Sequence, residues 1–395
     1  MNDTKAKSNR IKFIGLLAAL ALCICFCACS ENKPPTESES QGTAESQLPP
    51  EKPKPVDGSF TLLIYMCGSS LESRNGAATD DIAELLRADI PGKMNIIIET
   101  GGARKWKDER ISYDKIQRFQ IADGKLTLLD EDSLSSMGDA ETLRSFIDWG
   151  TETFPAEETA LILWDHGGGF LEGICMDELY RGDWLTVGEL DEALSGSRFD
   201  ERFAFIGFDC CLMANYETAL TVSKYTDTMI ASEGDEPVGG WDYRAIAEAI
   251  AKASEKTDFY DTVLSAFAKA NADRADYTLS VIDLSKLDRV RSVLSGCMEK
   301  ARTSGGRLSF PDAVKEIRSI GSGFTYLYDL GDLAAYFGVE CDLDGVLKTV
   351  SSQERNASGL SICCPIADEK ALAEYLLLSE DRDFCAYLKA VQSTK

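Results

Sequence analysis

Short apolar runs alternate with segments of helical spacing along most of this chain. Runs of four to eight apolar residues are typical of strands buried on both faces of a sheet. The first half of the chain has five such predicted strands, at residues 60–66, 94–99, 160–164, 203–208 and 227–232. Most of the segments between them place apolar residues on one face of a helix, at residues 80–88, 141–154, 187–194 and soon after Cys211.

Strands that alternate with helices predict crossover connections and a mostly parallel sheet covered by helices on both faces. Residues 111–129 depart from this order, because their alternating pattern predicts an antiparallel hairpin. Residues 166–183 are predicted to form a long loop. From about residue 244 the chain is more helical, with helices at 243–254 and 259–272 and strands at 277–284 and 359–365. The fold class is therefore α/β with a more helical C-terminal region.

The N-terminus has the order of an export signal. Basic residues precede an apolar run at residues 14–26, and a polar stretch follows. We therefore expect a signal peptide at residues 1–28. The sequence around Cys29 resembles a bacterial lipobox and predicts lipidation of this cysteine, with Cys27 as the alternative site and an uncleaved membrane anchor as the alternative reading.

These patterns predict that the chain is divided into four parts. Residues 29–56 are rich in Pro, Ser, Glu and Lys, and such a stretch buries too little apolar surface to offset its ordering entropy. We expect it to be a disordered tether between the signal peptide (1–28) and the folded part. The folded part is predicted to comprise a core at 57–255 and an α/β region packed on it at 256–395.

Charge and cysteine usage narrow the function classes. The net charge is -25, which argues against nucleic acid as a partner, because phosphate binding needs a basic surface. The thirteen cysteines lie scattered, many of them in apolar runs, and do not form the pattern of a disulfide framework. The single histidine excludes a His-rich zinc site, and no metal or other cofactor is predicted.

The single histidine and a pair of cysteines follow two successive predicted strands. His166 comes just after the strand at 160–164, and Cys210 and Cys211 come just after the strand at 203–208. Functional groups collect at the carboxyl ends of parallel strands, and strands joined by one crossover are commonly neighbours. We therefore expect His166 and a cysteine to meet at one edge of the sheet.

Such a pair has the residue types of nucleophilic catalysis. A thiol needs a base or a lowered pKa, which His166 and the N-terminus of the helix after Cys211 would supply. The run Gly167–Gly169 lets the backbone approach a substrate carbonyl, and the N–H groups of Gly167 and Cys211 would form an oxyanion hole. The alternative is purely structural: His166 caps a turn and both cysteines pack in the core.

The sequence resembles the clostripain family of cysteine peptidases, which have a caspase-like fold. The resemblance covers residues 58–366 and is carried by the histidine motif Leu163–Gly169 and the nucleophile motif Asp209–Met213, with further similarity at 65–72, 99–106 and 240–243. It implies that His166 is the general base and that Cys211 is the nucleophile. Cys210 stands where the family usually has alanine, and it is the alternative nucleophile.

The resemblance also implies a preference for Arg or Lys before the scissile bond. Asp209 matches a family residue of the pocket that binds this side chain, although an aspartate here would also cap the following helix. Asp235 is the expected second acid of the pocket, with Glu236 and Asp242 as alternatives. Peptidases of this kind are often cut internally, and the exposed-looking segment 180–182 predicts self-cleavage after Arg181, with an ordinary surface-loop arginine as the alternative.

The expected function is that of a cysteine endopeptidase acting on proteins or peptides at a bacterial cell surface, held by a lipid anchor or secreted. Two alternatives stay open: a binding lipoprotein, such as a solute receptor or adhesin, and a catalytically silent member of the family. Some family members need calcium; no Asp-x-Asp-x-Asp-Gly loop occurs here, and calcium also stays open. The oligomeric state does not follow from the sequence.

Overall fold

Most of the predicted strands lie in one central sheet, whereas the strand predicted at 359–365 belongs to a separate two-stranded sheet. The computed structural model describes residues 55–90, 92–252, 256–321, 325–352 and 357–393. The predicted signal peptide, Cys29 and nearly all of the predicted tether lie outside the described residues. In chain order, the elements of the first half are β1 (Val56–Cys67), a π-helical turn (Leu71–Asn75), α1 (Ala77–Leu85), β2 (Met94–Gly101), β3 (Lys115–Ala122), β4 (Lys125–Ser133), α2 (Ala140–Thr153) and β5 (Ala156–Trp164).

The second half begins with a short helix and a hairpin and becomes mainly helical toward its end. Its elements are α3 (Gly169–Glu172), β6 (Ile174–Asp177), β7 (Asp183–Leu185), α4 (Val187–Gly196), β8 (Ile206–Asp209), α5 (Tyr216–Val222), β9 (Thr228–Ala231), α6 (Tyr243–Lys252), α7 (Lys256–Ala270), β10 (Thr278–Asp283), a 3-10 turn (Leu284–Lys286), α8 (Leu287–Thr303), α9 (Phe310–Glu316), β11 (Leu327–Asp329), α10 (Leu330–Phe337), β12 (Leu347–Ser351), β13 (Ser361–Cys363), α11 (Glu369–Leu378) and α12 (Arg382–Gln392).

The central sheet has nine strands in the order β12-β10-β9-β8-β5-β1-β2-β3-β4. Its five middle strands, β9 to β2 in that order, pair in parallel, and the two strands at each edge pair antiparallel. The predicted hairpin at residues 111–129 is confirmed as β3 and β4. The mostly parallel α/β sheet is likewise confirmed, and the predicted strands at 160–164 and 203–208 are parallel neighbours, as β5 and β8.

Helices cover both faces of this sheet because its middle strands are apolar on both sides. In β1, Leu63 and Tyr65 belong to one buried cluster, which the helices α2, α4, α5 and α8 complete. The alternate residues Leu62 and Ile64 belong to a second cluster on the opposite face, completed by α1, α6 and α7. Successive side chains of a strand point to opposite faces, so a continuous apolar run gives two cores.

Two local expectations differ from the structure. The predicted loop at 166–183 contains α3 and the small β6–β7 hairpin. The helix expected to begin soon after Cys211 starts only at Tyr216, and its first turn is capped by Asn215, whose side chain accepts the Thr218 N–H. The field of a helix N-terminus fades beyond its first turn, so α5 is not placed to stabilise a thiolate at Cys211.

The C-terminal region shares the central sheet with the core. Strand β10 pairs with β9, and β12 pairs with β10. Residues 52–395 accordingly form one compact unit that includes both predicted parts. None of the helices in the described ranges combines the length and the apolar character needed to cross a membrane.

Candidate active site

Four neighbouring parallel strands deliver polar residues to one edge of the sheet. Strands β1, β5, β8 and β9 lie side by side and end at this edge, where they are followed by Ser70, His166, Cys211 and Glu236. Trp164 and Asp209, the last residues of β5 and β8, are register partners. The segments that carry His166 and Cys211 therefore leave the sheet next to each other.

The backbones of these two segments are in close contact. A Cβ atom placed on Gly167 would lie 2.0 Å from the carbonyl oxygen of Cys211 and 3.1 Å from its nitrogen. No side chain fits in that space, so glycine after His166 is required by the approach of the Cys211 backbone. The glycine run therefore brings the histidine and cysteine segments together.

Cys211 and Cys210 lie in different surroundings. Cys210 is 3% exposed and belongs to a buried apolar cluster, whereas Cys211 is only half-buried. The Sγ of Cys211 accepts the backbone N–H of Glu236 at 3.2 Å. Burial raises the pKa of the Cys211 thiol to about 11, even though that hydrogen bond favours the thiolate. The resting thiol is therefore neutral at pH 7.

His166 is half-buried and held by a neighbouring strand end. Its Nε2 lies 3.1 Å from the Oγ of Ser70, which follows β1. Burial and the charge of Arg74 lower the pKa of His166 below its usual value. A neutral imidazole can accept the proton of a thiol, so the resting pair has the protonation states that a general base needs.

Asp165, although adjacent to His166, points elsewhere. Its carboxylate accepts the hydroxyl of Ser69, a buried residue with a left-handed backbone (φ 46°). Leu212, which follows Cys211, is also left-handed (φ 71°). Strained conformations of this kind persist where the surrounding structure fixes them, and they cluster at functional sites.

The backbone N–H groups of Gly167 and Cys211 are the two donors predicted to bind an oxyanion. The bridge between Gly167 and Ile174 uses the N–H groups of Gly168 and Cys175, not that of Gly167. Within the described part of the chain, neither Gly167 nor Cys211 donates its N–H to another residue. Because their backbones are in contact, these two donors are candidates for a shared acceptor.

Asp209 lies beneath this edge in a buried cluster of acids. It is 4% exposed and is covered by Gly240, whose added Cβ would lie 3.1 Å from the Asp209 Oδ1. Burial raises the pKa of Asp209 to about 6, and a hydrogen bond from Glu236 counteracts that effect. Burial and the Asp209 charge raise the pKa of Glu236 well above its usual range, so Glu236 holds the proton that the two acids share.

Asp81 and Tyr243 complete this cluster. The Oδ2 of Asp81 accepts the Trp164 Nε1–H at 2.8 Å, and Asp81 is 8% exposed. Burial, and then the charge of Asp209, raise the pKa of Asp81. Tyr243 is fully buried against the same acids. At neutral pH the cluster thus carries fewer charges than it has carboxyl groups.

The two other acids considered for the pocket differ from Asp209 in their surroundings. Asp235 is exposed and lines an open cavity of about 370 Å³ together with Arg318 and Asp332. Its charge contributes to the raised pKa of Cys211, so it lies near the thiol. Asp242 instead caps α6, where its Oδ1 accepts the Ala245 N–H at 2.8 Å.

Arg181 lies at the tip of the β6–β7 hairpin. It is exposed and left-handed (φ 65°). The buried Asp177 fixes the turn, since its Oδ1 accepts the N–H groups of Leu179 and Tyr180 at 2.7 and 3.2 Å. A peptidase binds its substrate in an extended form, so this turn would have to open before Arg181 is cut.

Sequence reasoning missed Ser70, Asp81 and the side-chain role of Glu236. Ser70 carried a usable signal, because it follows the strand that neighbours β5. Nothing in the sequence distinguishes Asp81 from the other polar residues of its helix. In the residues that the structure describes, no group of three or more His, Cys, Asp or Glu side chains could hold a metal ion.

Comparison with known sequences identifies the family. A sequence profile of the clostripain family, peptidase family C11, matches residues 64–340. Clostripain from Hathewaya histolytica is 27% identical over 250 residues, which cover 55% of this chain and 47% of that protein. The chain therefore spans about half the length of this curated relative.

Solved structures share the fold. The structure of an inactive zymogen C11 protease from Parabacteroides distasonis superposes with a TM-score of 0.61 at 22% identity, over 81% of this chain and 96% of that one. A secreted C11 cysteine protease from Bacteroides thetaiotaomicron, in complex with an irreversible peptide inhibitor, gives a TM-score of 0.62 at 16% identity, over 84% and 99% of the two chains. The fold is therefore caspase-like, and with the profile match over most of the folded part, the chain belongs to the clostripain family.

Proposed function

We propose that this protein is a cysteine endopeptidase with Cys211 as nucleophile and His166 as general base. The observation that carries the proposal is the contact between the Gly167 and Cys211 backbones, where a Cβ would lie 2.0 Å from the Cys211 oxygen. This contact joins the two segments that carry the single histidine and a half-buried thiol at the carboxyl edge of the sheet, and it supports their pairing. Family membership supports the same assignment.

The chemistry begins with a neutral pair. As the Sγ of Cys211 forms a bond to the scissile carbonyl carbon, its proton passes to His166 and the carbonyl electrons move onto oxygen. The N–H groups of Gly167 and Cys211 donate to that oxyanion. His166 then gives the proton to the leaving amine as the C–N bond breaks. Water, activated by His166, hydrolyses the thioester.

We propose that the side chain before the scissile bond is Arg or Lys. Support comes from two carboxylates: the buried Asp209, two residues before Cys211, and the exposed Asp235, whose charge acts on the Cys211 thiol. A carboxylate pairs well with a guanidinium. Because Gly240 covers Asp209, a basic side chain reaches it only when the loop at 237–240 moves aside.

Self-cleavage after Arg181 remains part of the proposal. The residue is exposed and basic, but its turn is held by Asp177. We expect the purified protein to give two fragments on a denaturing gel after prolonged incubation, and Cys211→Ala to stay intact. A wild-type chain that is active and uncut would contradict this step alone.

We also propose export to the bacterial cell surface, by lipidation at Cys29 or by secretion. Support comes from the order of residues 1–30 and from the secreted relatives among the solved structures. A mass spectrum of the membrane-extracted protein tests this, because lipidation predicts a diacylglyceryl adduct on Cys29.

Peptide hydrolysis tests the central function. The purified protein should cleave peptides after Arg or Lys, and Cys211→Ala and His166→Ala should each abolish turnover. Cys210→Ala is the matched control and should retain activity, since Cys210 packs in the core. If no peptide is cleaved while the protein is folded, a silent or binding member of the family is the better description.

A further inference from the structure

The loop after β1 holds the histidine segment through two adjacent serines. Ser69 donates its hydroxyl to Asp165, and the Oγ of Ser70 lies 3.1 Å from the Nε2 of His166. Two consecutive residues of one loop thus bond two consecutive residues of the neighbouring strand's loop. Such a paired arrangement fixes both the backbone and the imidazole ring.

Buried contacts hold the loop that carries Ser69 and Ser70 in place. Ser69 is fully buried with a left-handed backbone, and it is followed by a π-helical turn, a form often found at functional sites. The buried Glu72 ties this turn to the rest of the structure, since its carboxylate accepts the N–H groups of Thr79 and Lys107 at 2.9 and 2.6 Å. These contacts hold the backbone at Ser70 in place beside the histidine segment.

The contact with Ser70 involves Nε2 of His166, and its direction decides which nitrogen acts as base. A neutral imidazole has one N–H donor and one acceptor nitrogen. Nε2 is occupied by Ser70, whereas Nδ1 has no hydrogen-bond partner among the residues that the structure describes. A hydroxyl that accepts from Nε2–H keeps the proton on Nε2 and leaves Nδ1 as the acceptor.

We propose that Ser70 is the positioning residue of His166: its oxygen accepts the Nε2–H, so Nδ1 receives the proton of Cys211. This inference rests on the proposed function for its role in catalysis. Its structural content, the tautomer of His166, does not depend on turnover. The same hydrogen bond strengthens when the ring becomes an imidazolium, because charged donors form the stronger bonds.

Nitrogen-15 NMR of the single histidine tests this directly. In the protein labelled with [15N]histidine and carrying Cys211→Ala to prevent self-cleavage, all imidazole signals come from His166. We expect the neutral form to carry its proton on Nε2. Ser70→Ala should reduce the Nε2–H fraction and lower the pKa of His166 by about one unit, and Ser70→Thr should restore both.

Ser135→Ala is the matched control, since Ser135 is also half-buried with a 3.0 Å hydroxyl contact, to Thr142. A proton on Nδ1 in the parent protein overturns the proposal, and this holds even if Ser70→Ala does not fold. Unchanged tautomer and pKa in Ser70→Ala also overturn it.

Kinetic measurements on the protein that keeps Cys211 then test the role of Ser70 in catalysis. Ser70→Ala should lower kcat/KM about tenfold, mostly through kcat, and shift the acidic limb of the pH profile downward. Ser70→Thr should recover most of the activity. If the parent protein shows no turnover, the proposed function fails while the NMR result still decides the role of Ser70.

Discussion

The backbone N–H of Glu236 donates to the Sγ of Cys211 across 3.2 Å. This bond joins the loop after β9 to the loop after β8 and fixes the direction of the thiol. It favours the thiolate, yet burial outweighs it and keeps the pKa of Cys211 near 11. Since burial also lowers the pKa of His166, the Cys211 thiol and the His166 imidazole are both neutral at pH 7.

Alkylation kinetics test this protonation state. Because only the thiolate reacts, the rate at Cys211 with iodoacetamide should rise about tenfold per pH unit from pH 7 to 9 without a plateau. Half-buried Cys341, whose pKa is also near 11, provides an internal reference in the same peptide map. A plateau already at pH 7 would indicate a thiolate–imidazolium pair instead.

Arg74 should influence the base from the π-helical turn. Its charge contributes to the lowered pKa of His166. Arg74→Gln should therefore raise the pKa of His166 and move the acidic limb of kcat/KM to higher pH, since the protonated ring cannot accept the thiol proton. Arg87→Gln is the control. It also removes an arginine charge, but that charge does not contribute to the lowered pKa of His166, so the pH profile should stay unchanged. A shift of the limb to lower pH in Arg74→Gln would contradict this electrostatic account.

Gly167 should tolerate no side chain. In Gly167→Ala the new Cβ would overlap the Cys211 carbonyl oxygen, so the two loops must separate and the oxyanion donors with them. We expect a 10²–10³-fold loss of kcat/KM, about what one misplaced oxyanion donor costs. Gly188→Ala is the control, because its added Cβ makes only ordinary van der Waals contacts, with Leu378 at 3.6 Å and Thr186 at 3.9 Å. Full activity in Gly167→Ala would exclude the proposed contact.

The positions of His166 and Cys211 could be predicted because they depend only on strand order. Each follows a strand that the apolar pattern identifies, and β5 and β8 pair as consecutive parallel strands do. The contacts of Ser70 and Glu236 could not be predicted in the same way. They depend on the left-handed Ser69 and on the loop after β9. In such loops neither the two-residue repeat of a strand nor the 3.6-residue repeat of a helix predicts where a side chain points.

The pocket acids show the same limit. Asp235 and Glu236 are adjacent, and the sequence favoured Asp235 as the partner of Asp209. In the structure the Glu236 side chain bonds Asp209, while Asp235 is exposed and lines the open cavity. Which of two neighbours in a loop points inward is decided by tertiary contacts, such as the Trp241 Nε1–H that Glu236 accepts at 3.4 Å, and sequence spacing does not encode them.

Asp209 should make stability depend on pH. Its folded-state pKa of about 6 lies above the usual value of 3.8, so the folded state binds more protons than the unfolded state between these pH values. The stabilisation that protonated Asp209 gives the folded state is present at low pH and is lost as the pH rises through 6. The unfolding free energy of Asp209→Asn, taken relative to that of the wild type, should therefore be about 2 kcal/mol higher at pH 7.5 than at pH 4.5.

Urea unfolding at the two pH values measures this difference. Asp200→Asn, a change at an exposed position, is the control and should shift stability equally at both. If Asp209→Asn were instead relatively less stable at pH 7.5, Asp209 would be an ordinary ion-paired carboxylate. Its carboxylate would then have a cationic partner at rest.

Covalent labelling tests the central assignment most directly. The purified protein is incubated at pH 7.5 with a peptide chloromethyl ketone that ends in Arg, and the adduct is mapped by mass spectrometry, with His166→Ala and a matched Ala-terminated reagent in parallel. We predict one adduct, on Cys211, formed faster with the Arg reagent and much slower in His166→Ala. An adduct on Cys210, or equal labelling of Cys211 with and without His166, would contradict the proposed pair.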